Sequence, residues 1–214
     1  MKTDELIQKL AKEAGPIRKL SSLSRRLAFW LAAALLFLIP GVLLRGVRPD
    51  LAHQVVSCRF MLEGLLILAL SGFSALAALA LSVPGDERSA WTRWAPAVAL
   101  TAWLMLLGAH MGRIVFSSGP STLSTGSGLF CVRDILLLSL LPGAWLMVMI
   151  RRAAPVELGL SGVLAALSAA SFAALGTQFT CSIDDPLHIV VWHAATVVVI
   201  AGAGIVFGKR FLRW

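Results

Sequence analysis

The sequence predicts an all-α integral membrane protein with six transmembrane helices, and three observations carry that prediction. Apolar residues make up 58% of the 214, charged residues only 14%, and mean hydropathy is +0.84. A soluble domain of this size needs far more polar surface, and disordered chains are poor in apolar residues, so both classes are excluded. The apolar residues fall in six unbroken runs, each near the ~20 residues that a bilayer core requires. Unbroken runs also exclude a β-barrel, whose strands alternate in polarity.

The runs are Leu27–Leu44, Phe60–Ser82, Ala97–Phe116, Ile135–Ile150, Leu158–Thr180 and Leu187–Gly208, the fourth drawing on residues 129–134 at its start. Backbone polar groups in lipid must be satisfied within the segment, so each run is read as a helix. The first 26 residues carry seven basic side chains, and no small-residue cleavage site follows the first run, so that run is expected to stay as a span. If both termini face the cytoplasm, 14 of the 19 Lys and Arg lie on that side and 5 on the other. That is the bias of the positive-inside rule, and it assigns an N-in, C-in orientation with short loops. The formal net charge of +8 is therefore read as topology and not as a nucleic-acid footprint. Three regions follow: a cytoplasmic segment 1–26, a six-helix bundle 27–208 and a cytoplasmic tail 209–214. In the fifth span Ser161, Ala165, Ala169, Ala173 and Thr177 recur every four residues beside a second row of Gly162, Ala166, Ala170 and Ala174. Gly204 and Gly208 repeat the spacing in the sixth, and such rows let helices approach closely.

Segment 1–26 is the longest polar stretch and the natural place for a partner. Asp4 is placed to cap a helix with Leu6, Ile7 and Leu10 on one face, and Gly15–Pro16 interrupts it. Ile17, Leu20, Leu23 and Leu27 then predict a second amphipathic helix running into the first span. Lys9, Lys12, Arg18, Lys19, Arg25 and Arg26 make the segment basic, which suits either a membrane surface or a docked protein. Arg151 and Arg152, in an inner turn, are additional docking candidates.

With this topology, Cys58, Cys131 and Cys181 all lie at the outer face, beside the second, fourth and fifth spans. In a bacterium that compartment is oxidising, where exposed thiols tend to be paired, metal-bound or redox-active. Cys131 and Cys181 end successive antiparallel spans, an arrangement open to a disulfide, and Cys58 stays as a third candidate. After Cys181 the chain reads CSIDDPLHIVVWH, bringing Asp184, Asp185 and His188 into a short outer loop and His193 into the last span. Cys131, Cys181, His188 and Asp184 form a candidate ligand set for a zinc-like divalent ion. The spacing matches no standard zinc motif, and neither C-x-x-C nor H-E-x-x-H occurs, which argues against thioredoxin-like or metalloprotease chemistry. Glu63 and Arg113 are expected to pair across the bundle, with His110 one turn from Arg113. His110 and His193 alone are too little for a haem, so no resident cofactor is expected.

The start MKTDELIQKL, the turn Arg151-Arg152-Ala153-Ala154-Pro155, Cys131 ahead of the fourth span, and Cys181 followed by Asp184-Asp185-Pro186, His188 and Trp192-His193 together resemble the negative-regulator-of-sigma-F family. The resemblance covers essentially the whole chain in length, span number and motif order. It implies a non-enzymatic anti-sigma factor of the bacterial inner membrane that holds an extracytoplasmic-function (ECF) sigma factor and responds to heavy-metal or oxidative stress through a cysteine pair. That pair would be Cys131 and Cys181, with transient metal binding in place of a cofactor and no direct contact with nucleic acid. Two other classes compete on the residues alone. A small transporter or channel would use Glu63, His110 and Arg113, but inverted repeats, broken helices and charge rings are not evident. A membrane thiol oxidoreductase would use the three cysteines, but a second redox couple is missing.

Overall fold

The computed structural model describes residues 3–13, 20–83, 90–118 and 125–213. It is 84% helical, without strands among the described residues. In chain order the elements are α1 (Thr3–Glu13), α2 (Leu23–Arg45), the single turn α3 (Leu51–Gln54), α4 (Cys58–Ala80), α5 (Ala90–Ser118), α6 (Thr125–Arg151), α7 (Leu158–Gln178), α8 (Pro186–His188), a π-helical turn Ile189–Ala194, and α9 (Ala195–Phe211). Six stretches are long and apolar enough to cross a membrane: Leu23–Arg45, Cys58–Ala80, Ala90–Ile114, Gly128–Arg151, Leu158–Gln178 and Pro186–Phe211. The chain is a multi-pass membrane protein. Arg113, in the third expected span, and Cys131, in the stretch 129–134 that the fourth was expected to draw on, both belong to continuous helix, and these helices extend past the apolar window where backbone bonds continue.

α7 lies at the centre, against α4, α6 and α9. Its small residues explain why: Ser161, Ala165, Ala169, Ala173 and Thr177 are all buried. Gly162 faces Gly204 and Gly208 of α9 so closely that a methyl group at any of the three would meet backbone atoms of the other helix. Toward α4 the contact is polar and reciprocal. Ser71 Oγ donates to the Ser168 carbonyl at 2.9 Å, and Ser168 Oγ donates to the Ser71 carbonyl at 2.8 Å. Such bonds replace hydration that lipid does not offer.

α2 joins the bundle through one stripe, Arg26, Trp30, Ala34 and Leu38, spaced by four residues along a single face. Trp30 packs on Phe172 and its Nε1 donates to the Pro142 carbonyl at 3.1 Å. The opposite face, with Leu36, Leu43 and Leu44, is exposed, as lipid-facing residues are. Arg26 departs from its expected place in a docking surface. It is 6% exposed, and it donates to the carbonyls of Leu79 and Met149 and to Ser82 Oγ, tying the start of α2 to the ends of α4 and α6. A guanidinium carries enough donors to serve several carbonyls at once, and burial in a span demands that it use them.

α1 is amphipathic and wholly exposed, with Asp4 and Glu5 in its first turn and Lys12 in its last, the charge order that complements a helix dipole. The second amphipathic helix expected over 17–27 is partly outside the described residues, which resume at Leu20 without helix until Leu23. Arg18 and Lys19 also lie outside the described residues, while Lys9, Lys12, Arg25, Arg151 and Arg152 are exposed.

Candidate functional site: two thiols and two imidazoles

At the end of the bundle where α2 and α7 finish and α4 and α6 begin, four chemically reactive side chains converge. Cys131 comes from the first turns of α6, Cys181 from the loop after α7, His188 from α8 and His193 from the π-helical turn. The two sulfurs are 3.6 Å apart, and His188 Nε2 lies 3.5 Å from each. The rings of His188 and His193 meet edge to face with centroids 5.5 Å apart. One donor atom from each of the four residues falls within 4.8 Å of the other three. Three of the four are buried, with His188 3% and His193 5% exposed.

The local backbone explains this convergence. Asp185 caps the new helix by accepting from the Leu187 amide, with Pro186 at its first turn, so the chain reverses sharply after Cys181. In an α-helix, residues five apart point about 140° away from each other. In the π-helical turn of Ile189–Ala194, bonds run from i to i+5, which brings His193 round to the side of His188. Cys131 donates to the Cys181 sulfur, and that bond holds the Cys181 pKa well below the ordinary thiol value; burial opposes the shift and His193 reinforces it.

Asp184, named above as a metal ligand, is otherwise engaged. Arg48 donates to its two carboxylate oxygens at 3.0 and 2.6 Å, and Gln54 adds a bond at 2.9 Å. Arg48 also grips Asp50 through both carboxylate oxygens, at 2.7 and 2.8 Å. This fork holds the Asp50 carboxyl below the usual carboxylate range, with help from Gln54, and raises the Arg48 pKa through Asp50 first and Asp184 second. Arg59 closes the group by donating to the Asp184 backbone carbonyl at 2.8 Å. The cluster borders a cleft that Cys181, His193, Glu63 and Gln178 also line. His193 therefore stands where the sequence reading put Asp184; an i, i+5 pair carries no signal under an α-helical period.

Other candidate residues are separate from this group. Cys58 is exposed at the first turn of α4 and does not belong to the four-residue cluster. Glu63 is buried, with Arg59, His193 and Trp103 as its neighbours, whereas Arg113 is exposed. Arg59, one turn away on the same helix, is the cation that acts on Glu63.

Neither a curated protein nor a solved structure is found to match the chain. A family model described as negative regulator of sigma F matches residues 10–214, from within α1 through α9. With a match over nearly its whole length, the chain belongs to the family of negative regulators of sigma F.

Proposed function

We propose that this protein is an anti-sigma factor of the bacterial inner membrane that holds an ECF sigma factor at the cytoplasmic face and releases it when the outer thiols Cys131 and Cys181 react. Membership of a family named for negative regulation of a sigma factor is the observation that carries the reading. The docking element is α1, whose exposed Leu6, Ile7 and Leu10 offer an apolar strip beside Lys9 and Lys12. Arg25, Arg151 and Arg152 extend the basic surface at the same end of the bundle, and Arg18 and Lys19 belong to the segment between α1 and α2. The N-in, C-in orientation puts these groups in the cytoplasm and the thiols in the periplasm.

The trigger is the sulfur pair. At 3.6 Å, the two sulfurs are close enough to be captured together by a soft metal ion. They are also open to two-electron oxidation by a peroxide-class oxidant, which takes up both thiol hydrogens and leaves as water. Either event fixes α6 to the loop after α7. The protein works without turnover, as a binding equilibrium between two packings of the bundle, which the signal must stabilise unequally.

Co-purification tests the partner class. Full-length protein in detergent should retain its cognate sigma factor, and Leu6→Asp with Ile7→Asp should abolish retention while the helical signal stays unchanged. Retention by the double variant would remove α1 from the mechanism, and no retention by the wild type would end the anti-sigma reading.

A further inference from the structure

We propose that Cys131, Cys181, His188 and His193 form a single tetrahedral Cys2His2 site for a divalent cation of the zinc–cadmium class, with the π-helical turn supplying the fourth ligand. The inference deepens the sensor reading of the same two thiols. It adds both imidazoles, removes Asp184 from the ligand set and fixes the chemistry of the ion.

Geometry is the first argument. Metal–sulfur bonds of ~2.3 Å and metal–nitrogen bonds of ~2.0–2.1 Å at tetrahedral angles give edges of about 3.8 Å between sulfurs and about 3.5 Å between sulfur and nitrogen. The protein already holds its sulfurs at 3.6 Å and His188 Nε2 at 3.5 Å from each. Three corners of a tetrahedron are in place. The longer separations, up to 4.8 Å, therefore belong to His193, whose ring closes the fourth corner by a shift of about an ångström.

The second argument is what a disulfide leaves unexplained. His193 Nε2 is buried without a hydrogen-bond partner among the described residues, and His188 Nε2 is aimed at the two sulfurs, 3.5 Å from each. Two buried imidazoles crowded edge to face beside two thiols have no structural need to be there, since phenyl rings fill the same space without orphaned nitrogens. Ligation uses Nε2 of His188 and one nitrogen of His193.

Charge is the third. Two thiolates neutralise a divalent ion, so the loaded site is uncharged, as burial near the edge of an apolar bundle requires. The thiol protons still present pass to solvent as the metal–sulfur bonds form. Thiolate and imidazole select borderline-soft ions over magnesium and calcium. Asp184, three residues after Cys181, is committed to Arg48.

The test uses full-length protein in detergent, reduced with a non-chelating phosphine and free of sigma factor, titrated with cobalt(II) and then cadmium(II). One ion per chain is expected, with tetrahedral cobalt bands and a thiolate charge-transfer band. His188→Ala and His193→Ala should each weaken cadmium binding at least tenfold and change the cobalt spectrum, while Asp184→Asn should alter neither. Helical circular dichroism and elution volume check folding, and His193→Gln, closer in volume, replaces the alanine variant if that one fails. Wild-type affinity and spectrum in folded histidine variants would overturn the site, as would a loss confined to Asp184→Asn. Absence of any bound ion in folded wild type would overturn it too. No sigma factor is present, so failure of the anti-sigma reading appears only in co-purification and failure of the metal site only here.

Discussion

Arg26 shows how a residue changes meaning once the chain folds. By sequence it closes a run of basic residues ahead of the first span, and charge there reads as a docking surface. In the bundle it sits a full turn inside α2 and bonds to Leu79, Ser82 and Met149. No periodicity reveals that, because the acceptors lie 53 to 123 residues away. The same reason hid the loss of Asp184 to Arg48, a partner 136 residues distant. Cys131, Cys181 and His188, by contrast, were legible: topology alone puts them at one end of neighbouring helices. Arg26→Ala should destabilise the protein by about 2–3 kcal/mol, since it strips charge-assisted bonds and orphans the Met149 carbonyl. The exposed neighbour Arg25→Ala should move stability by less than about 0.5 kcal/mol. Unfolding in micelles, followed by tryptophan fluorescence, compares the two, and equal shifts would contradict the role assigned to Arg26.

Among elements, the six spans were readable from apolar runs, with ends displaced by a few residues where helices outlast their apolar windows. The π-helical turn was not readable, since no local pattern marks a bond from i to i+5, and with it went the placement of His193 beside His188. The small-residue rows of α7 and α9 were readable, and their contact is testable. A Cβ on Gly162 collides with the Gly204 carbonyl and with the Gly208 backbone, which cannot rotate aside. Gly162→Ala should therefore push α7 from α9 and lower stability by about 1–3 kcal/mol. Gly202 on the same α9 has open space where its Cβ would be. Gly202→Ala should be neutral or gain up to about 1 kcal/mol from helix propensity. Thermal unfolding of both variants in the same detergent checks the contrast; a neutral Gly162→Ala would mean that α7 and α9 do not rely on this close approach.

Across the whole molecule, one helix physically joins the two ends. α6 carries Cys131 near its start and, 18 residues or about 27 Å later, the Met149 carbonyl that receives Arg26 at the base of α2. α2 in turn follows the segment that bears α1. A rigid helix held at both ends is a route for coupling, but a route is not a coupling energy. Linkage supplies the decisive check: if a metal ion at the thiol end weakens sigma binding by some factor, sigma binding must weaken the metal by the same factor. Saturating sigma factor should therefore lower cadmium affinity, by about 5- to 150-fold if the coupling lies in the usual 1–3 kcal/mol range. Cadmium titrations of wild-type protein with and without its sigma factor measure this directly. Arg26→Lys, which keeps the charge but loses the guanidinium fork, should still bind both ligands with the two affinities closer to independent. Identical cadmium affinities in the free and sigma-bound wild type would mean that the two ends, though joined by α6, do not communicate through binding of this ion.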